Sequence, residues 1–98
     1  MVQGTYKVSA DTPMGRKSGT LVLSGSDAAL HAKLKVALLG TFEADGSAQG
    51  SAFSFSGTVK IPLVGSGSYQ LDGIVEGDRL EAVCRAKGAD IVVTGTRV

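Results

Sequence analysis

Residues 28–36 read Ala28-Ala29-Leu30-His31-Ala32-Lys33-Leu34-Lys35-Val36, in which Leu30, Ala32, Leu34 and Val36 alternate with His31, Lys33 and Lys35. Successive side chains of a strand point to opposite faces, so a strand with one buried face requires this period of two. Residues 27–39, rich in Ala, Leu and Lys, also place apolar side chains near helical spacing; the alternation favours the strand.

The same alternation recurs through Phe53–Ile61, Tyr69–Val75 and Leu80–Ala86. Between the runs stand Ser24-Gly-Ser-Asp27, Gln49-Gly-Ser51, Glu76-Gly-Asp78 and Lys87-Gly88. Regular short strands divided by glycine-bearing turns point to an all-β sandwich or barrel. The expected strands are 2–10, 17–24, 28–36, 39–49, 52–61, 65–76, 79–87 and 89–98.

Pairing tests this division. A two-residue loop at Gly77-Asp78 sets Glu76 against Arg79 and Val75 against Leu80. One at Lys87-Gly88 sets Arg85 against Asp90, Cys84 against Ile91 and Val83 against Val92; one at Gly50-Ser51 sets Ala48 against Phe53 and Gly46 against Phe55. A slip of one residue would exchange the two faces, so the register is internally consistent. Gly15, Gly40 and Gly65 lie 25 residues apart and close the phrases Thr-Pro-Met-Gly15, Ala-Leu-Leu-Gly40 and Pro-Leu-Val-Gly65. That period fits a hairpin, and hairpins in series make an up-and-down meander. Closing the meander removes both sheet edges, so the expectation is an eight-stranded antiparallel barrel forming one domain over residues 1–98.

Composition narrows the function. Ten Lys and Arg against nine Asp and Glu give neither a basic excess nor a basic stripe, which argues against a nucleic-acid binder. Cys84 is the single cysteine, so neither an internal disulfide nor a thiolate zinc site can form. No segment approaches the roughly 20 apolar residues of a membrane span. The opening Met-Val-Gln-Gly-Thr-Tyr-Lys lacks a positive end followed by an apolar run, and the chain as given reads as cytoplasmic, although a removed leader leaves no trace. Nothing calls for a cofactor.

Tyr6 and Arg97 both point inward, on first and last strands that become neighbours when the barrel closes. Gly4-Thr-Tyr6 and Gly95-Thr-Arg97-Val98 resemble the calycins, the group of lipocalins, fatty-acid-binding proteins and avidins. Many lipocalins carry Gly-x-Trp on the first strand with a late Arg packed across the ring. The chain also resembles small bacterial lipocalin-like proteins over nearly its whole length. This resemblance implies a binding barrel, with Tyr6 and Arg97 as its closure. Tyr stands where Trp is usual, no N-terminal helix is evident, and no avidin-like set of polar ligands can be mapped.

His31 faces outward and reads as a solvated histidine; with no second histidine it offers no transition-metal site. Cys84 faces inward with no histidine on its face to serve as base, and reads as a small core residue. Asp72, Glu76 and Glu81 could approach one another across two strands, but exposed carboxylates do not split their acidities. Gly65-Ser-Gly67-Ser68 lacks the helix and Lys of a phosphate loop. The expectation is a protein that is not an enzyme.

Phe42, Phe53, Phe55 and Tyr69 point inward and either line a ligand cavity or fill the barrel. The loops at one end are short and polar, whereas those at the other carry Pro13-Met14, Val36-Ala-Leu-Leu39 and Pro62-Leu-Val64. Three apolar loops on one rim form either a ligand mouth or a plug. The expected ligand-binding residues are Met14, Leu38, Leu39, Phe42, Phe53, Phe55, Leu63 and Tyr69, for a small apolar or amphipathic molecule held at the mouth or in the lumen. The alternative is a self-associating module, a homo-oligomer that uses an outer patch of Ile74, Val83 and Val92.

Overall fold

The structure, a computed structural model, describes residues 2–12, 15–36, 40–61, 65–86 and 89–98. Eight antiparallel strands follow one another around a closed barrel: β1 (Gly4–Thr12), β2 (Gly15–Gly25), β3 (Leu30–Val36), β4 (Gly40–Gln49), β5 (Ala52–Ile61), β6 (Gly65–Glu76), β7 (Arg79–Ala86) and β8 (Ala89–Arg97). Residues 28–36 are strand from Leu30 onward, and the helical alternative is excluded. The strand starts two residues later than the alternation implies because the Ala29 amide donates back to the carbonyl and hydroxyl oxygens of Ser26, closing a turn. β1 and β2 are longer at their junction than expected, reaching Thr12 and starting at Gly15.

Register agrees with the face assignment at every pair tested. Val75 faces Leu80, Cys84 faces Ile91, Val83 faces Val92, and Gly46 faces Phe55. The Lys87-Gly88 turn itself lies outside the described residues, although Ala86 pairs with Ala89 across it. Burial of apolar area on one face supplies the driving force, and the core has a definite location. Val2, Tyr6, Leu23, Leu30, Phe55 and Leu80 are fully enclosed, with Val8, Leu21, Ala32, Phe53, Val75 and Ala82 nearly so. All of these sit in the half of the barrel that holds the chain ends and the β2–β3, β4–β5 and β6–β7 turns; this half is the base.

The base is laced together. Asp27 in the β2–β3 turn accepts from the Ala48 amide of β4, Ser51 in the β4–β5 turn accepts from Val75 of β6, and Asp78 in the β6–β7 turn accepts from Arg97 of β8. Val98 donates to the Thr5 carbonyl, returning the ring to β1. Each turn thus satisfies a backbone amide of the following hairpin, groups that would otherwise cost energy where water is excluded.

Close packing at the base needs missing side chains. A Cβ at Gly46 would fall on the Ser54 carbonyl oxygen and the Phe55 ring, and one at Gly73 would meet the Phe53 ring at 2.5 Å. Glycine at such inward positions lets the sheet coil tightly enough to close.

Candidate functional site

The closed end is built on Tyr6 and Arg97, which face each other across β1 and β8. The Arg97 guanidinium carbon lies 5.0 Å from the Tyr6 ring centroid. The Tyr6 hydroxyl donates to the Val2 carbonyl at 2.7 Å, and Arg97 Nη1 donates to the Gln3 carbonyl at 2.7 Å. Asp78 stands 3.9 Å from Arg97 Nε. Burial pushes the Tyr6 phenol above its usual value, and the neighbouring guanidinium pulls it the other way. The Tyr6 hydroxyl and the Arg97 guanidinium are therefore both partnered.

The opposite half differs. β4 and β5 each run ten residues from a tight turn, yet only four pairs join them, from Gln49–Ala52 to Gly46–Phe55. Beyond that point β4 pairs only with β3, through Gly40–Val36, and β5 only with β6, through Ile61–Gly65. The β4–β5 ladder therefore stops short of Thr41–Asp45 and Ser56–Ile61. Gly57, whose register places it inward beside Tyr69, is exposed on this stretch. The Tyr69 ring lies over Gly57, with its atoms 3.5 Å or more from where a Cβ would be. The β1–β8 ladder also ends early, at Ala10–Val93.

The inward side chains of this half are incompletely covered. Leu34, Phe42, Leu71, Tyr69, Ile91 and Cys84 are all half-buried. Phe53 and Phe55 are in the packed base instead, their rings tilted at 59° with centroids 5.9 Å apart. The expected ligand residues thus divide. Phe42 and Tyr69 are half-buried beyond the base, Tyr69 packed against the core, Phe53 and Phe55 belong to the buried core itself, and Met14, Leu38, Leu39 and Leu63 lie outside the described residues. Burial raises the Cys84 thiol above its usual value, consistent with an inward, unactivated group.

Lys17 was missed in the sequence. It is half-buried between the exposed Arg16 and Ser18, on the face of β2 that also carries Gly19, Leu21 and Leu23. Its position two residues before an inward glycine was the available signal; a lysine at a strand start reads as surface unless parity is applied strictly.

On the outer wall, Ile74 and Val92 are exposed at 39% and 57%, and Val83 is half-buried. They line a shallow open groove of about 730 Å³ that also takes in Ala52, Asp72 and Glu81. The carboxylates considered together in the sequence are apart in their bonding. Asp72 accepts from the Ser54 hydroxyl and Gln70 amide, whereas Glu81 pairs with Arg79 at 3.2 Å. His31 faces outward as expected but is not simply solvated: its ring nitrogens lie 2.8 Å from Asp45 and 3.1 Å from Glu43 on β4. Among the described residues no cluster of His, Cys, Asp and Glu could hold a metal ion, and no helix is long and apolar enough to cross a membrane.

No family model and no curated protein matches the chain. Among solved structures, that of a redesigned β-barrel superimposes with a TM-score of 0.73, covering 99% of this chain and 91% of that one at 13% identity. At that identity the likeness concerns the fold: an all-β, eight-stranded antiparallel barrel.

Proposed function

We propose that the protein is a non-catalytic carrier for a small apolar or amphipathic ligand, held in the half of the barrel opposite the Tyr6–Arg97 base. The parting of β4 from β5 beyond Gly46–Phe55 carries this reading. An unpaired stretch of wall there would let a ligand reach half-buried Phe42 and Tyr69, with Leu34 and Leu71 packed beside the core. Ligand sites are typically concave and apolar with a few placed polar groups. The calycin resemblance of Gly4-Thr-Tyr6 and Arg97 agrees with such a role.

The test is titration with a fluorescent apolar dye combined with the rate of Cys84 alkylation. Cys84 is the sole thiol and faces the interior between Leu71 and Ile91, so an occupied lumen shields it. Saturable one-to-one binding with slowed alkylation is expected. Saturable binding with an unchanged alkylation rate would place the dye elsewhere and defeat the proposal.

A second reading is favoured by the outer groove. Ile74, Val83 and Val92 on three adjacent strands form an apolar strip that a second copy of the barrel could cover. Scattered apolar side chains need no explanation, but neighbours on paired strands make a contiguous patch.

A further inference from the structure

The outer wall carries its charge unevenly. On the outward face of β6–β8 the carboxylates of Asp72, Glu76, Glu81 and Asp90 stand against the guanidinium groups of Arg79 and Arg85. On the outward face of β1–β3 the cations of Lys7, Arg16, Lys33 and Lys35 stand against Asp11, and His31 is tied to Asp45 and Glu43 of β4. The whole chain is nearly balanced at a formal net charge of +1, so the barrel has an acidic side and a basic side.

Each side has an apolar centre. On the acidic side Val83 faces Val92, Asp72 flanks Val83, and Glu81 flanks Ile74. On the basic side half-buried Val22 lies between Thr5 and Lys33, and the next outward row is Lys7, Thr20 and Lys35. Strand spacing and rise put Asp72 roughly 8 Å from Glu81, and Lys33 roughly 7 Å from Lys35, along the wall. Arg79 and Arg85 are engaged on their own side, with Glu81 at 3.2 Å, Asp72 at 4.0 Å and Asp90 at 3.9 Å. No ion pair among the described residues includes Lys7, Lys33 or Lys35. Lys33 has Glu43 opposite it on β4, whereas Lys35 has Thr41, and Lys7 has Thr96 on β8.

We infer that the outer strip is covered by the β1–β3 wall of a second copy, so that barrels associate head to tail. Val22 seats on Val83 and Val92, and Lys7, Lys33 and Lys35 lie against Asp72 and Glu81. The inference rests on the self-association reading above and names the surface that meets the strip. Packing strip on strip about a two-fold axis sets carboxylates against carboxylates, because Asp72 and Glu81 lie on opposite flanks of the strip. Head-to-tail packing sets opposite charges together, and such complementarity governs which surfaces meet. β7 and β2 are separated by β8 and β1 around the barrel, so one copy can engage a neighbour through each wall. Association then continues beyond two copies as concentration rises.

The experiment is sedimentation of the full chain at several concentrations, for the wild type and two variants. Val92→Lys spoils the strip and keeps the basic wall; Lys7→Glu/Lys35→Glu reverses the basic wall and keeps the strip. All three side chains are exposed, so the core is untouched. The wild type is expected to self-associate, with a dissociation constant that rises roughly tenfold from about 0.05 M to about 0.5 M salt. Each variant alone is expected to stay monomeric, and an equimolar mixture to form a one-to-one pair that grows no further. If the mixture stays monomeric, the head-to-tail assignment is overturned. If Lys7→Glu/Lys35→Glu associates as the wild type does, that assignment is also overturned and strip-on-strip association stands. If the wild type is monomeric throughout, or Val92→Lys associates unchanged, the self-association reading falls and the inference with it.

Discussion

Arg97 and Tyr6, ninety-one residues apart in the chain, are paired across β1 and β8 with the guanidinium 5.0 Å from the ring centroid. The same two side chains anchor the carbonyls of Gln3 and Val2, so the last strand and the N-terminal segment are tied at one point. A cation over a ring contributes about 0.5–2 kcal/mol, and a buried acceptor left without its donor costs about 1–3 kcal/mol. Arg97→Met and Tyr6→Phe are each expected to lower stability by about 1–3 kcal/mol by urea denaturation.

Phe53 is 3% exposed and packs against Phe55. Phe53→Ala is expected to cost about 3–5 kcal/mol, the range for deleting a large core ring. An effect below about 1 kcal/mol in denaturant midpoints would mean the ring is not in the core.

Two inward glycines should respond in opposite ways. At Gly46 a methyl group collides with backbone, which cannot yield, so Gly46→Ala is expected to destabilise by about 1–3 kcal/mol or more. At Gly57 the nearest atoms belong to the Tyr69 ring at ordinary contact distance. Gly57→Ala should be neutral or stabilise by up to about 1 kcal/mol, through reduced freedom of the unfolded chain. Thermal melts of the two variants side by side distinguish a collision with backbone from ordinary contact with a ring.

Hydrogen bonds donated to the Asp45 carboxylate, then to Glu43, raise the His31 pKa above its usual value. Lys33, which faces Glu43 across the strands, is the cation nearest this group in register. A folded-state value above the unfolded one means protonation stabilises the fold. That contribution is complete below the unfolded value of about 6.5 and disappears as pH rises through the raised folded value. His31→Gln should therefore narrow the denaturant-midpoint difference from wild type as pH increases from 6 to 8. A difference independent of pH would show that the imidazole contributes only by packing.

If the outer strip joins two copies, Val92→Lys is expected to convert a dimer to a monomer in sedimentation at several concentrations, because it places a charge on the most exposed member of the strip. A wild-type protein that stays monomeric at all concentrations defeats the self-association reading.

The fold was legible because alternation fixes faces and two-residue turns fix register together. Once Gly77-Asp78 turns the chain, Val75–Leu80 follows, and a closed meander leaves little choice for the remaining strands. Other features were not legible for physical reasons. The slot between β4 and β5 depends on where two strands diverge, and nothing in the alternation of Phe42 or Gly57 encodes that. The division of aromatics depends on height along the barrel, which parity does not report, so Phe53 and Tyr69 read alike. His31 found its carboxylates only when β3 and β4 paired, since Asp45 is 14 residues away.

The laced ring of base turns has an evolutionary consequence. Closure sits at one end of the staves, so on the proposed carrier reading substitutions around Phe42 and Tyr69 would alter what is carried without loosening the knot at Tyr6 and Arg97. A barrel organised in this way keeps its foundation unchanged while the far rim varies.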